Sequence, residues 1–495
     1  MSEAREAAGV PPAGKVARRS MLAYGFGAVA YGVKDFGFNT FLLYFFNQVM
    51  GLPAGDVGLA ILCALLLDAF IDPAIGSLSD RTRSRWGRRH PWMYASAIPI
   101  VAGWLLLWNP PELSRMGMLA WVFAFSVVVR AAVSAYEVPS QALSPELSAD
   151  YDERTRIMAY RYLFGWAGGL GMLMISYGYF LAPHAGQTSG LLNREGYVGF
   201  SICSAAVMLI AILVSALGTH HEIPRLQRAE AERKSIPEHF RELIQTARNR
   251  AFLLLMGAGL CYYAAQGISF ALSNYLYTHV WGFQGAAFQW LGLTLLLGAA
   301  IAFVIAPRVA LRIGKPVAAM SFMAAAAVLL ILPYLLRIAG WFPDPREPVM
   351  LPLLLGIFTV NAACSISSTI LGASMMADVV EHSEMTTGRR SEGVFFAGAF
   401  FIQKCTTGIG IFAAGRIISF IHFPESAKPG TVPVAVIDEL TIIFMALYLG
   451  LGMMAALLYS RFPFGKAEHE ARIEALAADV VMREDRELLA DLKNS

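Results

Sequence analysis

Apolar stretches long enough to cross a bilayer recur along the whole chain and leave it few folds to adopt. A spanning helix needs about 20 predominantly apolar residues. Twelve such stretches are expected near residues 21–48, 55–79, 92–109, 116–143, 157–182, 197–218, 252–280, 287–311, 317–340, 350–377, 393–421 and 435–460. In lipid, every backbone amide must be paired inside the structure, so only helices and closed barrels can span. These runs have helix length. The expected fold class is therefore all-α integral membrane, with twelve transmembrane helices. Composition agrees: 56% of the 495 residues are hydrophobic and 15% are charged.

The loops set orientation and division. Arg5, Lys15, Arg18 and Arg19 precede the first stretch. Arg81, Arg83, Arg85, Arg88 and Arg89 follow the second, Arg154 and Arg156 the fourth, and a basic segment from Arg225 to Arg250 the sixth. The opposite loops hold little beyond Arg115, Arg194, Arg346 and Lys428. Basic loops stay cytoplasmic, so both termini and the 219–251 connector are expected inside the cell. The division that follows is a cytoplasmic segment 1–20, a six-helix bundle 21–218, a connector 219–251, a second bundle 252–460 and a cytoplasmic tail 461–495. Residues 237–250 and 467–492 have the spacing of surface helices. The halves echo each other: GRRHPW after the second stretch answers RIGKP (312–316) after the eighth. PELSADYDERTRIMAYR after the fourth answers MADVVEHSEMTTGRRSEG after the tenth. All four are expected as short charged turns. Two bundles related this way favour alternating access around a central site.

Several ionisable residues interrupt the apolar stretches, where a charge costs on the order of 3 kcal/mol unless compensated. Asp68 and Asp72 stand at i and i+4, on one helix face. Pro73 lacks an N–H, which frees the carbonyl of Ala69 beside both acids. Two carboxylates and a spare carbonyl suit a small hard cation such as Na+. The alternative is a pair of acids bridged to basic residues of other helices. Glu137, with Ser134 one turn earlier, could complete an oxygen cage of Asp68, Asp72 and Glu137. The alternative is that it pairs with Arg130 or Lys404. Lys404 stands alone in VFFAGAFFIQKCTTGIGIF and needs a carboxylate partner. Arg161 could read hydroxyls or a carboxylate with its fork, or close a gate. Tyr31, Asp35, Tyr136, Gln141, Tyr263 and Gln266 offer polar or aromatic groups for a sugar-like substrate. Arg85, Arg88 and Arg89, beyond the second stretch, are expected to serve a cytoplasmic gate. Gly165 to Gly171, rich in glycine, should allow close helix approach.

Enzyme chemistry finds no support. There is no Walker-type loop, HExxH, GxSxG or CxxC, and the nine histidines show no ligand spacing. The five cysteines lie in apolar runs and are expected as buried small hydrophobes. The polar N-terminus predicts no cleaved signal peptide. The net charge of +3 gives no reason to expect nucleic acid as a partner. No cofactor is expected. Partners reduce to a small-molecule substrate and membrane lipid, and the chain is expected to work as a monomer.

The chain resembles the glycoside–pentoside–hexuronide:cation symporters of the major facilitator superfamily over nearly its whole length. The likeness is strongest at YGFGA (24–28), DAFIDP (68–73), TRSRWGRRHPW (82–92), ERTRIMAYR (153–161) and MADVVEHSEMTTGRRSEG (376–393). It implies the major facilitator fold of two six-helix bundles and cation-coupled import of a sugar or glycoside with Na+ or H+. It places the cation site on Asp68, Asp72 and Glu137, with Ser134 at a threonine position. It assigns charge balance to Lys404 and the fifth-helix arginine to Arg161. Two positions depart from the pattern. The first-helix aspartate and its preceding lysine fall on Gly32 and Tyr31, or after a three-residue shift on Asp35 and Lys34. The substrate-stacking tryptophan falls on Gln141. Related members of the clan carry lysophospholipids or sucrose, so an amphiphile symporter is the alternative. A non-transporting membrane sugar sensor is a further one.

Overall fold

The computed structural model describes residues 16–148, 150–183, 189–225, 249–387 and 392–463. The expected surface helix at 237–250, all but its last two residues, and the expected tail helix at 467–492 lie outside them. Among the described residues the chain forms thirteen α-helices and no β-strand. They are α1 (Arg18–Phe26), α2 (Ala28–Gly37), α3 (Ala54–Arg81), α4 (His90–Trp108), α5 (Arg115–Leu147), α6 (Tyr151–Ile175) and α7 (Arg194–His220). The second half holds α8 (Arg250–Tyr275), α9 (Ala286–Ile313), α10 (Lys315–Ile338), α11 (Met350–Thr387), α12 (Glu392–Phe420) and α13 (Val434–Ser460).

Nine segments among the described residues are long and apolar enough to cross a membrane. The first expected span is not one of them, because it divides at Gly27 into α1 and α2 and continues as two π-helical stretches, Phe38–Leu42 and Phe45–Val49. The start of α6 is charged, at Asp152, Glu153, Arg154 and Arg156, which lowers its hydropathy. Two expected turns are also corrected. Asp150 caps α6 by accepting the Glu153 amide (2.8 Å), so the helix begins well before residue 157 and only residues 148–150 separate it from α5. Likewise α11 continues to Thr387, through a stretch expected as turn.

Helices pack where small residues let backbones meet. A β-carbon placed on Gly32 of α2 would lie 2.0 Å from the Gly165 carbonyl oxygen of α6. The two halves meet in the same manner. A β-carbon on Gly415 of α12 would come within 2.3 Å of the Ala54 carbonyl oxygen at the start of α3. Around this contact one end of the molecule is sealed. Tyr44 and Tyr275 pack edge to face with centroids 5.0 Å apart. Tyr275 donates to Asn47 Oδ1 (2.8 Å), and Asn274 donates to the Thr40 carbonyl (2.8 Å). The Gln48 amide holds the 424–427 turn from both sides, donating to Pro424 O (3.1 Å) and accepting from Ala427 N (2.9 Å).

The sealing turns are copies of one another. Residues 45–52 read FFNQVMGL and residues 276–283 read LYTHVWGF. Each begins as a π-helix, Phe45–Val49 and Leu276–Val280, and each ends on a glycine with positive φ: 70° at Gly51 and 62° at Gly282. A side chain at φ > 0 is costly, which accounts for glycine at both places. The following amides close the same ring, Leu52 N to Phe46 O (2.9 Å) and Phe283 N to Tyr277 O (2.8 Å). Tyr44 and Tyr275 directly precede the copies, so the halves touch at equivalent residues. The echo anticipated in the charged turns is therefore clearest at the opposite end.

Candidate cation and substrate site

From the seal, a cavity of about 3620 Å³ runs between the halves to the other end, where residues 80–85, 87 and 88 line it. Its walls come from α2, α3, α5, α6, α8, α9, α11 and α12. Asp68 and Asp72 project into it from α3, one turn apart as the spacing predicts. Lys404 reaches them from α12, in the other half. Its Nζ lies 2.9 Å from Asp68 Oδ2 and also bonds Asp72 Oδ2. Ser134 of α5 donates to Asp68 Oδ1 (3.1 Å), and Arg130 Nη1 stands 3.7 Å from Asp68 Oδ2. The α3 acids, Ser134 and Lys404 thus form one cluster.

Glu137 belongs to a neighbouring cluster. Arg161 of α6 pairs with Glu137 Oε1 at 2.6 Å, and Gln141 donates to the same oxygen at 2.9 Å. The Arg161 guanidinium also donates to Ser140 Oγ (2.9 Å). Two expectations are corrected here. Glu137 pairs with neither Arg130 nor Lys404. Nor do Asp68, Asp72 and Glu137 close as one cage: among the described residues no group of three or more carboxylate, histidine or cysteine side chains is gathered for a metal ion. Like-charged carboxylates repel unless a cation stands between them, and each cluster already has its own. The Lys404 ammonium occupies the place between Asp68 and Asp72, and the Arg161 guanidinium holds Glu137.

The expected substrate residues divide. Tyr31, Asp35, Gln141, Arg161, Tyr263 and Gln266 all line the cavity. Asp35 accepts from Asn39 (3.1 Å) and pairs loosely with Lys34 (3.6 Å), whose ammonium lies 4.4 Å from the centre of the Tyr31 ring. Gln266 donates to the Tyr262 hydroxyl (2.7 Å). Tyr136 does not line the cavity. It is fully buried, and a β-carbon on Gly27 would lie 1.8 Å from its hydroxyl. One residue before Glu137 is about 100° around a helix, so Tyr136 points into the N-terminal helices instead. At the mouth, Arg88 pairs with Glu146 (3.0 Å), Arg89 with Glu146 (3.0 Å) and with Ser79 (2.7 Å), and Arg85 lies over Trp86. Lys315 and Asp378 form the corresponding bridge in the C-terminal half (2.7 Å).

Sequence reasoning missed Trp166 and gave Arg130 only a minor part. Trp166 lines the cavity beside Phe36, with ring centroids 5.9 Å apart, and offers an aromatic face to a substrate. No periodic signal distinguishes it within a glycine-rich run. Arg130 had one: Arg130, Ser134, Glu137 and Gln141 fall at i, i+4, i+7 and i+11, a single polar stripe on α5.

Comparison with known proteins agrees with this architecture. A family described as MFS/sugar transport protein matches residues 23–466. The isoprimeverose transporter of Lactiplantibacillus pentosus is 26% identical over 408 residues, covering 79% of each chain. The putative glycoside/cation symporter YagG of Escherichia coli is 24% identical over 473 residues, covering 94% of this chain and 95% of that one. The inward-open structure of the E. coli xylose transporter XylE superposes with a TM-score of 0.55 at 13% identity, over 90% of this chain and 96% of that one, a likeness of fold. A helical chain folded around a charged cavity and matched along most of its length, it belongs to the sugar-transport family of the major facilitator superfamily, with symporters of the glycoside–pentoside–hexuronide type, and is a multi-pass membrane transporter rather than an enzyme.

Proposed function

We propose that the protein is a secondary active symporter that imports a sugar or glycoside with Na+ or H+ by alternating access. The observation that carries this reading is the Lys404 bridge, in which a cation fixed to one half sits between two carboxylates of the other. In the empty carrier the ammonium fills the place of the coupling ion. An arriving Na+ or H+ neutralises Asp68 or Asp72 and releases Lys404, which frees α12 to move against α3. Substrate and cation then raise each other's affinity, since each selects the same arrangement of the halves. Tyr31, Asp35, Gln141, Tyr263, Gln266 and Trp166 contact the sugar, and Arg161 holds Glu137 in place among them. We further propose twelve spans in two bundles of six, with α1, α2 and the π-helical turns forming the first. By the distribution of basic loops both termini are cytoplasmic. On that orientation the mouth at residues 80–88 opens to the cytoplasm, the Gln48 and Tyr275 seal faces outward, and the membrane is the cell's inner or plasma membrane.

The test is uptake of radiolabelled glycosides into proteoliposomes, with Na+ and H+ gradients imposed separately. Accumulation driven by one of the gradients and lost in Asp72→Asn is the expected result. Equilibration that ignores both gradients refutes coupling. An amphiphile substrate is favoured by one feature only, the exposed Tyr162, Leu163 and Phe303 along the cavity. Competition by a lysophospholipid and by no sugar would establish that reading instead.

A further inference from the structure

We infer that Tyr24, outside the cavity, is a positioning residue for substrate binding: its phenol fixes the guanidinium of Arg161, and through it the Glu137 and Gln141 side chains in the cavity wall. This rests on the symport reading and extends its site to α1, none of whose residues lines the cavity.

The chain carries a phenol where packing alone would accept a phenyl ring. Tyr24 is fully buried, and a buried hydroxyl is costly unless it is bonded. Its proton goes to the Ser140 carbonyl of α5 (2.8 Å). The oxygen is then left to accept, and Arg161 Nη1 of α6 donates to it at 3.4 Å. The same nitrogen donates to Ser140 Oγ (2.9 Å), and the guanidinium carbon lies 5.5 Å from the centre of the Tyr24 ring. The bond to Tyr24 is long, but it gains from the charge on its donor. Gly25 makes the reach possible. A β-carbon there would lie 2.9 Å from Tyr160 Cβ, beside Arg161, so the missing side chain is what lets α1 come this close to α6.

The clasp fixes direction. Tyr24 and Ser140 hold one nitrogen of the fork, and the other faces Glu137: Nη2 lies 2.6 Å from Glu137 Oε1, which also accepts from Gln141 (2.9 Å). Arg161, Glu137 and Gln141 all line the cavity. A guanidinium is a rigid plane, so pinning Nη1 decides where Nη2 points. An arginine held by Glu137 alone would keep freedom in its side-chain torsions, and substrate binding would have to remove it. Tyr24 removes it beforehand. The cation cluster of Asp68, Asp72, Ser134 and Lys404 shares none of these bonds, so the effect belongs to the sugar.

The test is equilibrium binding to the full chain in nanodiscs, with 4-nitrophenyl β-xyloside, β-glucoside and α-galactoside as probes. Tyr24→Phe keeps the ring and its volume and removes the hydroxyl. The Kd of the tightest probe should rise about fivefold, while cation affinity, read by thermal shift without sugar, stays unchanged. In the Arg161→Lys background the same change should move Kd by less than about twofold, because an ammonium lacks the fork that the phenol holds. Ser140→Ala removes the other acceptor without touching α1 and should give the same pattern in both backgrounds, which guards against misfolding of Tyr24→Phe. An unchanged Kd in Tyr24→Phe, an equal rise with and without Arg161, or a matching loss of cation affinity shows a packing role alone and overturns the inference. Failure of the unsubstituted protein to bind any probe refutes the sugar reading itself. Probe binding indifferent to the hydroxyl refutes only the part given to Tyr24.

Discussion

Replacing Lys404 by methionine removes the ammonium that ties α12 to Asp68 and Asp72. At an effective dielectric of about 20, unit charges 2.9 Å apart attract by about 6 kcal/mol. Desolvation of the ammonium and of Asp68 takes back a large part of this. The second arm is weaker still, because 28% of the Asp72 side chain is exposed and water screens it. Breaking such a pair from one side leaves a buried carboxylate short of a partner, worth roughly 2–4 kcal/mol here after that discount, since Arg130 still stands near Asp68. The empty carrier should therefore lose stability, read as a lower Tm of the purified protein in cation-free buffer. The same energy should reappear as tighter cation binding, because the ion no longer displaces an ammonium. For about 2 kcal/mol the apparent affinity for Na+, or for H+ if protons couple, rises roughly 30-fold. A cation titration followed by Tm measures both effects at once, while accumulation in proteoliposomes should fall because the coupling device is gone. Lys404→Met with Asp72→Asn should cost less than the sum of the single changes. Equal Tm values with and without Lys404, or losses that add strictly across the four variants, refute the idea that the ammonium stands in for the ion.

Arg161→Lys should weaken substrate binding by roughly tenfold, read as a higher KM for uptake, because an ammonium cannot span Glu137 and Ser140 as the fork does; an unchanged KM would remove Arg161 from the site. Gln48→Leu deletes both amide bonds to the 424–427 turn, about 1–3 kcal/mol together. Spin labels placed in the 50–53 and 424–427 turns should then report longer distances at the sealed end, and an unaltered distribution would dismiss Gln48 as a clamp. Arg88→Gln should slow turnover with little effect on equilibrium substrate affinity, since its partner Glu146 belongs to the same half and lies at the mouth; a large affinity loss at normal turnover would contradict this.

Positions within one helix were legible from the sequence, and partners between helices were not. The i, i+4 spacing of Asp68 and Asp72 puts both in the cavity, and the three-residue step from Ser134 to Glu137 keeps both on one side of α5. Yet Ser134 serves Asp68 while Glu137 serves Arg161, because two different helices face adjacent turns of that stripe. Lys404 was read correctly as needing an acid. Which acid depends on where α12 crosses α3, and that is set by Gly58, Gly415 and their neighbours, nearly three turns along α3 from Asp68. Tyr136 could have been excluded by helical phase alone. The reach of α11 to Thr387 was hidden because charged residues at a membrane surface look alike in a turn and in a protruding helix.

The matched turns at 45–52 and 276–283, with Tyr44 set against Tyr275, carry a consequence for how the halves assemble. A contact between equivalent residues is what a twofold homodimer makes, each copy presenting the same patch to the other. Each half therefore presents a self-complementary edge. Joining the halves in one chain keeps the local concentration of each high around the other. Severing the chain within 226–248 should consequently yield two co-expressed fragments that find each other through the tyrosine edge. The two turns differ in their partners: Gln48 clamps the opposite half, while its counterpart His279 packs its ring against Phe423 with neither ring nitrogen hydrogen-bonded.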